Sequence, residues 1–205
     1  MNKDFILASL DQIIPNPKCE LNYTKDYELL ISTMLSAQST DKRVNEVAKT
    51  LYRYNLEELS KLEIKDIENI IMPVGTYHKK AEFVKEIATR LLNDCNGKVP
   101  NDREYLESLP GIGRKTTNVV LSNIYGIPSI AVDTHVTRIA KRLKLVNKND
   151  DVLEIEKKLC KKIPKDKWNR VNDQIILFGR YYCKAKNPLC DECPFKGQCN
   201  KDFDK

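Results

Sequence analysis

Glycine, aromatic residues and long apolar runs are all scarce in this chain of 205 residues. It has 7 glycines and 7% aromatic residues, while Leu, Ile, Glu and Lys recur at spacings of three and four. This helical period predicts an all-α protein, either one large domain or two small ones that share a core. No apolar run approaches the ~20 residues of a membrane-spanning helix. The segment from Met1 to Gln12 lacks the regions of an export signal, so we expect a cytoplasmic protein.

The charge balance and the cysteine count narrow the class of protein. Lys and Arg outnumber Asp and Glu by 35 to 29, which gives a net charge of +6. An excess of this size fits binding to a polyanion, but it is equally common on surfaces that have no special partner. Seven cysteines are an odd number, which argues against a disulfide framework and for metal binding or reactive thiols.

The apolar periodicity predicts a series of helices along most of the chain. The segment from Asp26 to Gln38 is apolar throughout and is expected to be buried. Pro188, Pro194 and Gly197 exclude a continuous helix near the end of the chain. Further helices are predicted to begin near residues 41, 55 and 65 and to span 79–96, 103–109, 114–125, 133–145, 150–162 and 169–182.

A tight connection between two predicted helices has the composition of an anion site. Gly111 and Gly113 allow backbone torsions that are closed to other residues, and they leave room for a close neighbour. The unpaired amides that open the next helix, at Arg114, would then face an anion such as a phosphate. The alternative is a plain helical corner with Ile112 in the core.

Lys115 and Asp133 are the candidate reactive residues. Lys115 falls in the first turn of a predicted helix, where the helix dipole disfavours a cation. A desolvated amine at that place would be a nucleophile, and the alternative is a second phosphate contact beside Arg114. Asp133 precedes another helix, and its position alone indicates an N-cap.

Four cysteines lie close together near the end of the chain. The spacing C-x6-C-x2-C-x5-C forms one unbroken loop, whereas a familiar zinc site has two close pairs far apart. The spacing alone leaves both tetrahedral zinc and an iron–sulfur cluster open, and it favours the cluster. The four residues are Cys183, Cys190, Cys193 and Cys199.

Three segments carry a specific resemblance to a known family. Residues 109–120 read LPGIGRKTTNVV, residues 130–136 read IAVDTHV, and residues 35–41 read LSAQSTD. Together with the terminal cysteines, they resemble the endonuclease III family of helix-hairpin-helix DNA glycosylases and AP lyases, over essentially the whole chain. The resemblance implies a six-helix barrel domain (21–126, with the hairpin at about 103–125), a four-helix iron–sulfur cluster domain (1–20 and 127–205), and a central cleft.

The resemblance also implies an activity and a cofactor. The enzyme would extrude an oxidised pyrimidine from double-stranded DNA, release the base through attack by Lys115 at C1′ with help from Asp133, and nick the abasic strand. The four cysteines would hold a [4Fe-4S] cluster. We further expect a monomer that acts on the nucleoid.

The resemblance extends to residues that would contact DNA. Gln38 would fill the space of the extruded nucleotide, and Thr76 stands where relatives often carry a bulky apolar wedge, which puts the lesion preference in question. Without the resemblance, Gln38 is an ordinary polar residue at a helix end. The expected phosphate contacts are Gly111, Ile112, Gly113, Arg114, Lys184 and Lys186.

Other interpretations of these residues remain. A monofunctional mismatch glycosylase is the enzymatic alternative, but such enzymes lack the lysine found at position 115. A non-catalytic DNA-binding or redox-sensing module is the other. Packing or a phosphate contact explains His135 better than catalysis. Five cations could extend a basic face along the cleft, and the alternative is that they are ordinary solvated surface charges: Lys79, Lys80, Arg138, Lys141 and Arg142.

Overall fold

A computed structural model describes residues 2–200, and every regular element in that range is a helix. The all-α prediction is confirmed. No helix within these residues is long and apolar enough to cross a membrane. The described chain forms two compact units. The continuous unit is Glu20–Tyr125, and the discontinuous unit combines the described residues up to Cys19 with those from Gly126 onward.

The continuous unit is built around a helix that is buried on all sides. Nine of the ten residues of α2 (Asp26–Leu35) are buried, as expected for a helix without a polar stripe. The predicted burial is confirmed, but the helix ends three residues before Gln38. The unit has seven helices, one more than the six expected. The other six are α3 (Asp41–Leu51), α4 (Leu56–Lys61), α5 (Ile64–Ile71), α6 (Tyr77–Cys95), α7 (Arg103–Ser108) and α8 (Arg114–Tyr125).

Four helices and a short 3-10 turn form the discontinuous unit within the described residues. Helix α11 packs against α1 and α9. Asp11 of α1 accepts hydrogen bonds from Arg170 and Gln174 of α11, each at 2.9 Å. The elements are α1 (Lys3–Ile13), α9 (Thr134–Arg142), α10 (Val152–Lys162), the 3-10 turn (Lys165–Lys167) and α11 (Trp168–Tyr181).

The cysteine-rich segment is anchored to this unit by one aromatic side chain. Phe195 is fully buried. Its ring meets those of Phe5 and Phe178 edge to face, at centroid distances of 6.0 and 5.5 Å. The segment has no helix between Cys183 and Cys199, as predicted. The core of the unit therefore holds the segment in place without regular secondary structure.

Candidate functional site

The connection between α7 and α8 is a tight turn. The Ile112 amide donates to the Leu109 carbonyl at 3.2 Å, and the Gly113 carbonyl accepts from the Thr117 amide at 3.0 Å. Gly113 is therefore the residue from which α8 begins. Ile112 as a whole is only 4% exposed, so this residue of the turn packs into the interior of the unit.

The two glycines of the turn do different things. Gly111 has a left-handed φ of +72°, and a Cβ there would lie 2.7 Å from Cδ2 of Phe83 and 3.1 Å from Cγ of Met34. Gly113 lacks a positive φ, and a Cβ there would meet no atom within 4 Å. The expectation of special torsions is right for Gly111 and wrong for Gly113. Gly113 instead leaves open space beside the first amides of α8, where an anion can bind.

Side chains from neighbouring helices hold this hairpin in place. Arg103 of α7 donates to Oδ1 of Asn118 on α8 at 2.8 Å. Arg90 of α6 donates to the carbonyl and the hydroxyl of Ser108, both at 2.9 Å. In the first turn of α8, Arg114 is exposed and Lys115 is half-buried. These hydrogen bonds join α7 to α8 and α6 to α7, and so they restrict the position of the helix that carries Lys115.

The turns that carry Gln38 and Thr76 lie against each other. Both residues are exposed, and both have a left-handed backbone, with φ of 56° and 57°. This conformation is unusual for any residue except glycine, and it is a clear outlier for a β-branched threonine. A Cβ on Gly75 would lie 3.2 Å from the carbonyl oxygen of Gln38. The structure therefore brings together two residues that the sequence places 38 positions apart.

Asp133 caps a helix and borders a basic depression. Its Oδ1 accepts from the Val136 amide at 2.8 Å, so the N-cap expected from the sequence is present. Asp133 belongs to the discontinuous unit and Lys115 to the continuous unit. The depression beside Asp133 is also lined by Lys141, Lys148 and Lys186. No motif or spacing in the sequence marks Lys148 as part of a site.

His135 is packed inside the discontinuous unit. The Nδ1 atom of His135 lies 3.2 Å from Nη2 of Arg138. A Cβ added to Gly179 would lie 3.0 Å from the Cβ of His135. Burial lowers the pKa of His135, and the Arg138 charge acts in the same direction. A packed imidazole of this kind favours the structural interpretation of His135.

The four clustered cysteines line a single cavity. Cys183, Cys190, Cys193 and Cys199 all contribute to its wall. Burial raises the pKa of the thiols of Cys183 and Cys193, so metal binding would be needed to deprotonate them. Within residues 2–200, no three His, Cys, Asp or Glu side chains form a group able to hold a single metal ion. Four thiols around one cavity suit a cluster in which each sulfur binds a different iron.

Two arginines expected on a basic face instead support the cysteine loop. Arg142 is 4% exposed and donates to Sγ of Cys183 at 3.1 Å and to the Lys184 carbonyl at 3.0 Å. Arg138 donates to the carbonyls of Gly179 and Cys183. The expectation is therefore wrong for Arg142, because the loop folds back over α9, whereas Arg138 also lines the basic depression beside Asp133. Lys184 and Lys186 are exposed on the same loop.

Known proteins match this chain over most of its length. The model for HhH-GPD superfamily base excision DNA repair proteins matches residues 31–165, and that for the iron-sulfur binding domain of endonuclease III matches residues 183–199. Endonuclease III of Bacillus subtilis is 42% identical over 97% of this chain and 91% of its own length. Endonuclease III of Escherichia coli K12 is 40% identical over 95% of this chain and 92% of its own length.

Solved structures give the same result. A trapped covalent intermediate of endonuclease III with DNA has 42% identity and a TM-score of 0.92, covering 98% of this chain and 97% of that one. A non-covalent endonuclease III–DNA complex has 41% identity and a TM-score of 0.94, covering 98% and 96%. A thermostable thymine-DNA glycosylase, at 22% identity and a TM-score of 0.80, shares the fold.

The hairpin, the capped Asp133 and the cysteine loop thus belong to a helix-hairpin-helix base excision DNA repair protein of the HhH-GPD superfamily. Within that superfamily, the chain belongs to the endonuclease III family. Its cofactor is a [4Fe-4S] cluster. The helix-hairpin-helix glycosylase fold expected from the sequence is confirmed.

Proposed function

We propose that the protein removes oxidised pyrimidines from double-stranded DNA and then cleaves the abasic strand, with Lys115 as the nucleophile and Asp133 as its carboxylate partner. As a member of the endonuclease III family, the protein is a DNA glycosylase with AP lyase activity. The observation that carries the assignment is the placement of Lys115 in the first turn of α8, directly after the glycine turn. We place the reaction in the cytoplasm, on chromosomal DNA.

The reaction needs an amine and a carboxylate at one extruded nucleotide. A base inside a duplex cannot be reached, so the damaged nucleotide must leave the stack, at a cost of about a few kcal/mol that damage reduces. The Lys115 amine then attacks C1′ as the base leaves. Asp133 stabilises positive charge on the sugar and accepts a proton from the amine.

The same covalent bond leads to strand cleavage. The attached lysine forms a Schiff base with the opened sugar, and this makes the C2′ proton acidic. Loss of that proton expels the 3′ phosphate and nicks the strand, after which water releases Lys115. A lysine nucleophile thus joins base removal to lyase activity in one site.

The two units would supply different parts of this site. We assign residues 21–126 as the barrel domain, which carries Lys115, and residues 1–20 with 127–205 as the cluster domain, which carries Asp133. The division of the described chain at Cys19 and Gly126 supports these boundaries. Gln38 and Thr76 would enter the duplex, and the turn at Gly111, Ile112 and Gly113, with Arg114, would bind a phosphate.

The cysteine loop would hold the cluster and face DNA. We assign Cys183, Cys190, Cys193 and Cys199 as its ligands, because their four thiols line one cavity. These four cysteines would hold the cluster, which would join four points of the loop to one another. The exposed Lys184 and Lys186 would then be held beside DNA phosphates.

Borohydride trapping on defined duplexes tests the proposed function. The purified protein, with its cluster intact, is incubated with duplexes that carry one abasic site, one thymine glycol or one A·G or G·T mismatch. A borohydride-stable complex and a β-elimination product are expected from the first two duplexes. Base removal without trapping, confined to a mismatch, would instead indicate a monofunctional glycosylase. Binding without any product would indicate a non-catalytic module.

Alanine at Gly111 and at Gly113 should separate folding from DNA binding. Gly111→Ala is expected to lower the free energy of unfolding by about 2 to 4 kcal/mol, since it forces a left-handed alanine into the Phe83 ring. Gly113→Ala meets open space, so unfolding should change by less than about 0.5 kcal/mol. Its methyl group would block a phosphate from the helix amides and weaken DNA binding by roughly tenfold.

Denaturant unfolding and fluorescence anisotropy at fixed salt measure these two quantities. Each variant serves as the control for the other, because both changes add one methyl group to the same turn. Equal losses of stability in both variants would refute the different roles assigned to the two glycines.

A further inference from the structure

A buried lysine holds the turn that carries Gln38. Lys80 lies near the start of α6 and is 4% exposed. Its Nζ donates to the carbonyl oxygens of Leu35 at 2.9 Å and Ala37 at 2.6 Å. These carbonyls belong to the last residue of α2 and to the residue directly before Gln38. One side chain thus bridges two helices at the position where the chain leaves α2.

A buried cation lowers stability unless polar groups pair with it, and the C-terminal end of α2 supplies such groups. The C-terminal end of a helix has free carbonyl groups and a partial negative charge, which an ammonium group satisfies. Burial lowers the pKa of Lys80, so the charged form depends on its two carbonyl partners. Lys80 was expected on a surface basic face, and that expectation is wrong because its amine points into the unit.

Each of the two turns that Lys80 connects contains a non-glycine residue with a left-handed backbone. Gln38 and Thr76 both have φ near +56°, and the Gly75 backbone lies against the Gln38 carbonyl. Thr76 directly precedes α6, the helix that carries Lys80. Residues in such conformations persist only where their surroundings fix them, and they concentrate at functional sites. Lys80 supplies a fixed point between the two turns.

The geometry points to Lys80 as a positioning residue for DNA opening: its amine, bonded to Leu35 and Ala37, holds the Gln38 and Thr76 turns in the arrangement that fills the space of an extruded nucleotide. This inference rests on the proposed function, which assigns those two residues to the duplex. Lys80 itself does not touch DNA. Without its bonds, the Gln38 turn relaxes to an ordinary conformation, and an extruded nucleotide returns to the stack before Lys115 reacts.

Lys80→Met tests this role, because methionine has a similar length and no donor. On a duplex with one thymine glycol, kcat is expected to fall roughly 10- to 100-fold, as small misplacements do, with KM changed less than about threefold. Trapping on a single-stranded abasic oligonucleotide should stay within about twofold of the native protein, since no duplex must be opened. Lys61→Met is the matched control, because Lys61 is an exposed lysine of the same unit whose amine pairs with Glu57 on the surface at 2.6 Å.

A second variant reaches the same turn without removing a buried charge. In Gly75→Ala, the new methyl group would lie 3.2 Å from the Gln38 carbonyl and displace the turn, while Lys80 remains intact. The same selective loss of kcat on duplex substrate is expected.

In a Gln38→Ala background, Lys80→Met should reduce kcat by less than about twofold further, because both changes remove the same function. A 2-aminopurine placed opposite the lesion should become more fluorescent when the native protein opens the duplex. This increase should be lost in Lys80→Met and in Gly75→Ala.

The outcomes separate this inference from the proposed function. If the native protein traps no abasic DNA, the proposed function fails. If the native protein traps abasic DNA and Lys80→Met cleaves the thymine glycol duplex at the native rate, the positioning role is wrong. The role is also wrong if Lys80→Met loses duplex and single-strand reactions equally, or if its effect multiplies fully with that of Gln38→Ala.

Discussion

Lys115→Ala is expected to form no borohydride-stable complex with abasic DNA and to lose base removal by at least roughly 10³-fold. Alanine leaves no amine to bond with C1′, and water in its place cannot form a Schiff base. The half-buried position in the first turn of α8 tolerates alanine well, so the unfolding transition should stay close to that of the native protein. Trapping gels and single-turnover base release measure the two losses.

Arg114→Ala is the matched control for this substitution. It removes a neighbouring exposed cation from the same helical turn. Arg114→Ala should lower the affinity for DNA and make that affinity less dependent on salt. At saturating protein concentration it should still give a trapped complex. Equal trapping by Lys115→Ala and the native protein would assign the nucleophile to another amine.

Asp133→Asn should reduce base removal by about 10²- to 10⁴-fold while the protein stays as stable as before. Asparagine is as good an N-cap as aspartate, so its side-chain oxygen can still accept from the Val136 amide, as Oδ1 does at 2.8 Å. Only the negative charge is lost. Asparagine therefore tests catalysis alone, whereas alanine would change stability and catalysis together.

The chain offers a close control for Asp133→Asn. Asp151 caps α10 in the same unit, and its Oδ1 accepts from the Glu154 amide at 2.8 Å. Asp151→Asn makes the same chemical change at a helix start with no proposed role, and it should leave kcat unchanged. A native rate of base release in Asp133→Asn would reduce that residue to a helix cap.

Much of the fold could be predicted from the sequence because its signals are local. Helix α8 begins at Arg114 and ends at Tyr125, as the glycines and the apolar period indicate. Helix α9 was expected to reach Leu145, but it ends at Arg142. Lys144 then adopts a left-handed φ of 59°. The Leu145 amide donates to the Ala140 carbonyl at 2.9 Å, the bond that closes a helix behind a left-handed residue. Glycine is the usual signal for such an end, so a lysine there gives no warning of it.

Parts of the candidate site depend on contacts between distant segments, and these parts could not be predicted. Lys80 and Arg142 have the composition of surface residues, yet carbonyls and a thiol from elsewhere in the chain bury their charges. Phe195 is a lone aromatic residue in a loop without periodicity. The proximity of Gln38 and Gly75 depends on how α2 and α6 pack. Such positions emerge only once the helices are assembled.

The discontinuous unit also has a consequence for synthesis of the protein on the ribosome. Asp11 and its partner Arg170 are 159 residues apart, and at translation rates of about 5 to 20 residues per second this gap takes on the order of ten to thirty seconds. The continuous unit can fold during that interval. The apolar face of α1, which includes Ile6, Leu7 and Leu10, cannot pack against α11 until that helix has been made.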